Sequence, residues 1–368
     1  MQVMQTGSCK QSRAHAKLIA IALACMPALS ACESFFEADA VRQYPVEGRL
    51  VDIGGRNIQI DCRGEGGPTV VFQSGGDVMG SLGWNPVMEK VSTNARACAY
   101  SRAGILWSDP ANKAFDPEEV ARDLHAALQA AGEKPPYVLV AHSRGGLYNL
   151  IFAGLYRSEI AGMVFADSSH PDQEDRFRKA GLPTGEYVSP AQELGLAFKW
   201  TGVMRLSTYP ADPSISEQVK AFYPKSADAN AREARQRSKT MEVAGHYRDL
   251  QNWPVVVLAR ELPEQTQARK RADDHDADLL STDGLAAGAD TPKAEVIWRQ
   301  LQADLATWSS RGRLQIVPDS NHAFFFHQPE VVAAAIDEVL AASRVVRRPE
   351  PRMSWRGLAD PPADPSLQ

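Results

Sequence analysis

Cysteine, clustered basic charge and long apolar runs are all in short supply in this chain, and each shortage removes a class of function. Only five of the 368 residues are cysteine (Cys9, Cys25, Cys32, Cys62 and Cys98), too few for a disulfide-stapled scaffold. The histidines and cysteines beyond the N-terminal leader lack the paired spacing of a zinc ligand set, so no metal site is expected. Lysine and arginine total 40 against 45 aspartates and glutamates, a net charge of −5 without the footprint of a nucleic-acid binder. Arg344, Arg347, Arg348, Arg352 and Arg356 do cluster, but among prolines in a tail (345–368) that reads as disordered. That tail is either simply solvated or in weak contact with an anionic surface. What remains is 44% hydrophobic and 23% charged, the balance of an ordinary globular chain.

The first 31 residues read as a leader rather than as a segment of the fold. Lys10, Arg13 and Lys17 precede an apolar run from Leu18 to Leu29, about 12 residues and too short to span a bilayer as a helix. Leu29-Ser30-Ala31-Cys32 follows and resembles the signal of bacterial lipoproteins, in which the cysteine is acylated and becomes the new N-terminus. That reading predicts an exported protein held by lipid at Cys32 on the periplasmic side of a membrane or the cell surface. The alternative is ordinary cleavage at Ser30 or Ala31, leaving Cys32 a bystander in a soluble periplasmic or secreted protein.

Beyond a linker (32–46), the chain alternates strand and helix patterns. Gly48–Ile53 and Asn57–Cys62 form a hairpin pattern around Gly54-Gly55. Thr69–Phe72 is an apolar run ending in the turn Gln73-Ser-Gly-Gly76, and Trp84–Val91 reads as a helix before a strand at Ala97–Ser101. A helix at Pro117–Ala131, with Asp116 as its cap, precedes the apolar strand Tyr137–Ala141. A helix at Gly145–Tyr156 and a strand at Met163–Ala166 continue the alternation, which predicts a doubly wound, mostly parallel α/β sheet. The N-terminal half of the core therefore covers 47–171. Strand patterns then vanish from 172 to 252, where charged stretches such as Ala231–Val243 predict a helical cap. The C-terminal half of the core (253–344) resumes with Pro254–Leu258. A polar insertion at about 261–291 interrupts it, and Ala294–Trp308, Leu314–Val317 and Pro329–Ala342 complete it.

The chemistry centres on Val138-Leu-Val-Ala-His-Ser-Arg-Gly-Gly146. A serine between a buried strand and a small-residue helix start is a nucleophile elbow, here with Ala141 in place of the usual first glycine. The elbow projects the Ser143 hydroxyl from the sheet and sets the Arg144 N–H at a helix N-terminus, where it can stabilise developing negative charge. A serine hydroxyl needs a base at neutral pH. His322, after the last strand and before the last helix, is the candidate, ahead of His170, His246 and His327.

On these residues the chain from about Gly48 to Ala342 resembles the α/β-hydrolase superfamily. Within it the chain is similar to a bacterial subgroup with four features. These are an S-G turn (Ser74-Gly75), a cysteine-tyrosine strand before R-A-G (Cys98-Ala-Tyr-Ser-Arg-Ala-Gly104), the Ser143 elbow, and Asp167-Ser-Ser-His-Pro-Asp172. Ser101 departs from the pattern, which generally has aspartate there. The resemblance implies that the second and fourth strands are neighbours, so Cys62 and Cys98 either bridge or stay as separate buried thiols. It implies that the Gly76 N–H completes an oxyanion hole with that of Arg144. It also implies a triad acid, usually placed after the seventh strand, where Ala259-Arg-Glu-Leu-Pro263 offers no aspartate. Asp167, ending the sixth strand, is favoured; Glu261 is the alternative, with Glu264 behind it.

The expectation is acyl transfer on a small ester-like substrate with no cofactor. The cap would shape its pocket, with Phe198, Trp200, Met204 and Tyr209 as lining or as the cap's own core. A C–C bond or amide hydrolase using the same triad, and a lipoprotein that only binds, are the alternatives. Epoxide hydrolases and haloalkane dehalogenases are disfavoured because they carry aspartate where Ser143 stands. Oligomeric state is not readable from the sequence.

Overall fold

Eight strands build one sheet whose order is β1-β2-β4-β3-β5-β6-β7-β8. In chain order they are Arg49–Asp52 (β1), Asn57–Arg63 (β2), Thr69–Gln73 (β3), Ala97–Tyr100 (β4), Tyr137–His142 (β5), Ile160–Ala166 (β6), Pro254–Arg260 (β7) and Arg311–Val317 (β8). Strand β2 runs antiparallel to both β1 and β4, and every other pairing is parallel. The computed structural model describes residues 33–184, 188–206, 217–261 and 292–345.

The apolar runs are buried on both faces because helices cover both. Val70, Phe72, Val138, Val140, Val164, Val256 and Leu258 point toward the helices Asn85–Val91 and Pro329–Val345. The alternate residues Val71, Leu139, Met163, Phe165, Val255 and Val257 point toward Pro117–Ala130, Gly145–Leu155 and the end of Pro292–Thr307. This period-two division explains why the central strands read as unbroken apolar runs rather than as alternating ones. Asp116 accepts from the Glu118 N–H and caps Pro117–Ala130, a contact worth about 1 kcal/mol. The doubly wound, mostly parallel architecture expected from the sequence is the one observed.

Between β6 and β7 the described residues are helical, in short pieces from Gln173–Lys179 to Arg237–Ala244. The charged stretch expected as one helix over Ala231–Val243 is instead divided between Tyr223–Ala234 and Arg237–Ala244. The break lets the first piece aim Asn230 and Glu233 at the sheet's C-terminal edge while Met241 and Ala244 pack into the core. Periodicity alone does not reveal such a change of direction. Ahead of the sheet, 33–43 form a helix where a linker was expected, tied to the insertion by Glu33–Arg205 and Glu37–Lys225 ion pairs. The last helix runs on to Val345, past the expected end at Ala342.

Cys62 and Cys98 lie opposite each other on the antiparallel β2–β4 pair and are joined by a disulfide. The leader with Cys32, the stretch 262–291, Tyr209 and the tail beyond Val345 lie outside the described residues. Among the described residues no helix is long and apolar enough to cross a membrane.

The bridge closes a sequence separation of 36 residues. Replacing both cysteines by serine should therefore lower the unfolding free energy by about 3–4 kcal/mol in the loop-entropy account. Urea denaturation of the oxidised protein and the double variant measures this; equal midpoints and slopes would show that the bridge contributes nothing.

Candidate active site

Ser143 follows β5 directly, with φ of +51°, a left-handed conformation costing a non-glycine residue about 1–3 kcal/mol. Its surroundings over-determine it. The Ser143 carbonyl accepts from the N–H groups of Gly146 (3.0 Å) and Ser169 (2.9 Å), so the elbow is bound to the turn that follows β6. The two glycines are needed for close approach. A β-carbon on Gly146 would fall 1.6 Å from Ser168 Oγ, and one on Gly145 would fall 2.6 Å from the carbonyl oxygens of Gln73 and Ser74. Only small residues let the helix Gly145–Leu155 start this tightly against β3 and β6.

His322 comes from the loop after β8 and lies against the elbow. Its Nε2 is 2.9 Å from Ser143 Oγ, and its Nδ1 is 2.6 Å from Asp167 Oδ2. With Nδ1 donating to the carboxylate, Nε2 is the acceptor for the serine hydroxyl. The neighbouring His142 steadies this loop: its Nε2 donates to the His322 carbonyl at 2.9 Å, and its ring packs on Phe325.

Asp167, at the end of β6, also sits in a left-handed conformation (φ +46°) and is completely buried. Burial works to raise its pKa, but Arg260, the His322 hydrogen bond and Trp298 outweigh it and hold the carboxyl below the usual carboxylate range. Arg260 ends β7 and supplies both its backbone N–H, 3.1 Å from Asp167 Oδ1, and its guanidinium, paired with Oδ2. Trp298 Nε1 donates to Oδ1 at 2.7 Å, and Glu295, one turn earlier on the same helix, accepts from Arg260 Nη2 at 2.8 Å. Sequence reasoning did not find Arg260, Glu295 or Trp298. The available signal was a charge closing the apolar run Pro254–Arg260 and an acid and a tryptophan spaced three apart on one helix.

The turn after β3 closes the other side. A β-carbon on Gly75 would lie 3.0 Å from Ser143 Cβ, so this turn passes directly beside the candidate nucleophile. Gly76 is the next residue, and its carbonyl accepts from Asn230 Nδ2 at 3.0 Å. Arg144 places its side chain in a buried cluster with Asn230 and Glu233. A cavity of about 290 Å³ lies beyond that cluster and shares Arg102 and Glu233 as wall residues. Ser143, Asp167 and His322 do not line it, and their hydrogen-bonded trio lies apart from this cavity.

The remaining sequence candidates lie elsewhere. Glu261 uses its backbone, its N–H donating to the Val317 carbonyl and Ser320 Oγ, while His322 Nδ1 is engaged by Asp167. His170 is buried, with Nε2 3.1 Å from Asp304 and Nδ1 accepting from the Asp172 N–H. Burial lowers its pKa to about 4, which keeps the ring neutral near pH 7. Asp172 already carries a cation partner, Arg248, at 2.7 Å. His327 lies within the short helix Phe324–His327, and His246 in the turn after Arg237–Ala244. Ser101 Oγ accepts from the Ser81 N–H, tying the β4 exit to the turn before Trp84. In the insertion, Met204 packs with Leu196 and Ala231 in a core of its own, Trp200 is half-buried and Phe198 is exposed.

The alpha/beta hydrolase family model matches residues 66–335. Among curated proteins the chain is 28% identical to the uncharacterized protein YbdG of Bacillus subtilis over 137 residues, 37% of this chain and 42% of YbdG. It spans less than half the length of the curated relatives it matches. Among solved structures it is similar to a thermophilic esterase from Thermogutta terrifontis, with a TM-score of 0.51 and 18% identity over 80% of this chain and 98% of that one. It is also similar to the haloalkane dehalogenase DatA from Agrobacterium tumefaciens, with a TM-score of 0.54 and 16% identity over 80% of this chain and 96% of that one. Likeness at these identities concerns the fold.

If Asp167 is the acid that orients His322, Asp167→Asn should lower kcat by about 10⁴-fold while Glu261→Gln stays within about twofold of the parent. Steady-state ester hydrolysis by the two folded variants decides the matter, and a loss confined to Glu261→Gln would reverse the assignment.

Proposed function

The chain belongs to the alpha/beta hydrolase family, and from that premise we propose that it is a serine hydrolase acting on an ester-like carbonyl. The observation that carries this reading is the continuous line from Ser143 Oγ through His322 to Asp167, at 2.9 and 2.6 Å. In the proposed reaction Ser143 Oγ attacks the carbonyl carbon while His322 Nε2 takes its proton. The negative charge that develops on the carbonyl oxygen is held by the backbone N–H groups of Arg144 and Gly76. Collapse of the tetrahedral adduct expels the alcohol, which receives the proton from His322, and leaves an acyl-serine. Water, deprotonated by His322, then attacks the acyl group and restores the hydroxyl. Asp167 keeps the imidazole in the tautomer that accepts at Nε2 and stabilises the imidazolium formed at each step. Each step is completed by protein groups and water, so the reaction as proposed needs no cofactor.

The N-terminal sequence supports a location. We propose that the mature protein starts at an acylated Cys32 and works at a membrane surface. The exposed Phe35 and Phe36, three and four residues further on, suit a position beside lipid. Mass spectrometry of the mature N-terminus from cells should show Cys32 carrying acyl chains; an unmodified N-terminus beyond Cys32 removes the anchor.

A fluorophosphonate probe should label Ser143 in the folded protein and not the Ser143→Ala variant. A panel of p-nitrophenyl esters of increasing acyl length should include at least one substrate, whose turnover falls by more than about a thousandfold in Ser143→Ala. Absence of labelling at Ser143 favours a protein that only binds. Labelling without turnover of any ester moves the reading to the amide or C–C bond class.

A further inference from the structure

The helix Tyr223–Ala234 of the insertion reaches the core at the turn on which the proposed oxyanion hole depends. Glu233 is nearly inaccessible, and its carboxylate accepts from Arg102 Nε (2.8 Å), Arg144 Nη1 (3.2 Å) and the Tyr148 hydroxyl (3.2 Å). The other two nitrogens of Arg102 donate to the turn after β3, Nη1 to the Ser74 carbonyl and Nη2 to the Gly75 carbonyl, both at 2.7 Å. Asn230, nearly a turn earlier, uses both ends of its amide. Its Oδ1 accepts from Arg144 Nη1 at 3.0 Å and its Nδ2 donates to the Gly76 carbonyl at 3.0 Å. Three consecutive carbonyls of one short turn are thus held by two buried side chains.

Peptide planarity gives this arrangement a consequence. In a trans peptide the N–H points opposite to the carbonyl of the preceding residue. Arg102 leaves the end of β4 and Ser143 the end of β5, with β3 between them. Holding the Gly75 carbonyl against Arg102 therefore turns the Gly76 N–H toward the flank on which Ser143 stands. Stability alone does not account for the device. Taking charges out of water costs several kcal/mol per ion, and apolar packing of Val219 and Phe222 against Trp107 already docks the insertion. A buried network that spans the insertion, the β3 turn and the residue after the nucleophile specifies geometry.

We propose that Asn230 and Glu233 are positioning residues for the hydrolytic reaction, locking the β3 turn and Arg144 so that their N–H groups face the carbonyl oxygen under attack. The helical insertion then completes the reactive centre as well as covering it. The proposal rests on the serine-hydrolase reading and deepens it.

The test compares Asn230→Ala and Glu233→Gln with the parent, with Ser143→Ala as control. Active sites are counted by exhaustive fluorophosphonate labelling. Then kcat and KM per labelled site are measured on a p-nitrophenyl ester, together with the affinity of a trifluoromethyl ketone, whose adduct on Ser143 carries an oxyanion. Loss of oxyanion geometry should lower kcat per site by about 10- to 100-fold, with KM within about threefold and ketone affinity falling in parallel. A purely structural role would reduce the number of labelled sites and leave kcat per site unchanged, which overturns the proposal. A rise in KM alone assigns the residues to substrate fit and also overturns it. If Glu233→Gln does not fold, Asn230→Ala, which removes no charge, decides. A parent protein that does not label at Ser143 overturns the serine-hydrolase reading and this proposal together.

Discussion

The buried pair of Asp167 and Arg260 is the contact on which the rest of the candidate site depends. A carboxylate with no exposure to water stays ionised only if something inside the protein replaces its hydration. Here the replacement is complete, from Arg260 with its backbone N–H and guanidinium, Trp298 with its indole N–H and His322 through Nδ1. Arg260 is itself balanced by Glu295, so the cluster is a chain of opposite charges rather than an isolated pair. Removing one partner of such a pair leaves a buried charge unmatched, at a cost of about 3–5 kcal/mol. The cluster therefore presents one carboxylate oxygen to His322 Nδ1, which leaves Nε2 facing Ser143.

The sheet supplies the stage. Parallel strands β3, β5, β6 and β7 end at one edge, and each delivers one component there: the Ser74–Gly76 turn, Ser143, Asp167 and Arg260. Two of these four components include left-handed residues, Ser143 and Asp167. Strain of this kind persists only where neighbours enforce it. At the elbow the enforcement comes from the Ser143 carbonyl bonds to Gly146 and Ser169 and from the absent side chains of Gly145 and Gly146. Local strain, buried charge and backbone convergence meet within a few residues of one another.

The legible features of this protein were those written in local pattern. The strand at Tyr137–Ala141 could be read because a strand buried on both faces is almost uniformly apolar. Ser143 could be read because that strand runs straight into paired glycines. Asp167 was favoured over Glu261 because it ends the sixth strand while the turn after the seventh holds no aspartate. The contact between Asp167 and His322 Nδ1 itself depends on which loops meet, a tertiary fact with no local signature. Arg260 looked like the polar exit of a strand. Glu295 and Trp298 share one face of a helix, and nothing in their spacing says that this face meets a buried charge. Asn230 and Glu233 carry no local signature, because a buried ion network has the same composition as an exposed one. The break between Ala234 and Arg237 has no signature in periodicity, because its two halves bury different targets.

The proposed function rests on a single chemical statement, that Ser143 is a nucleophile activated by His322 and by an Asp167 carboxyl held below the usual carboxylate range. Such a nucleophile must become acylated during turnover. The most direct measurement is intact-protein mass spectrometry after mixing with p-nitrophenyl acetate and quenching in acid within the first turnovers. The account predicts a single added acetyl group that maps to the peptide bearing Ser143 and disappears on longer incubation. Turnover with no acylated species in the quenched protein, or an acetyl group on a different residue, would contradict it.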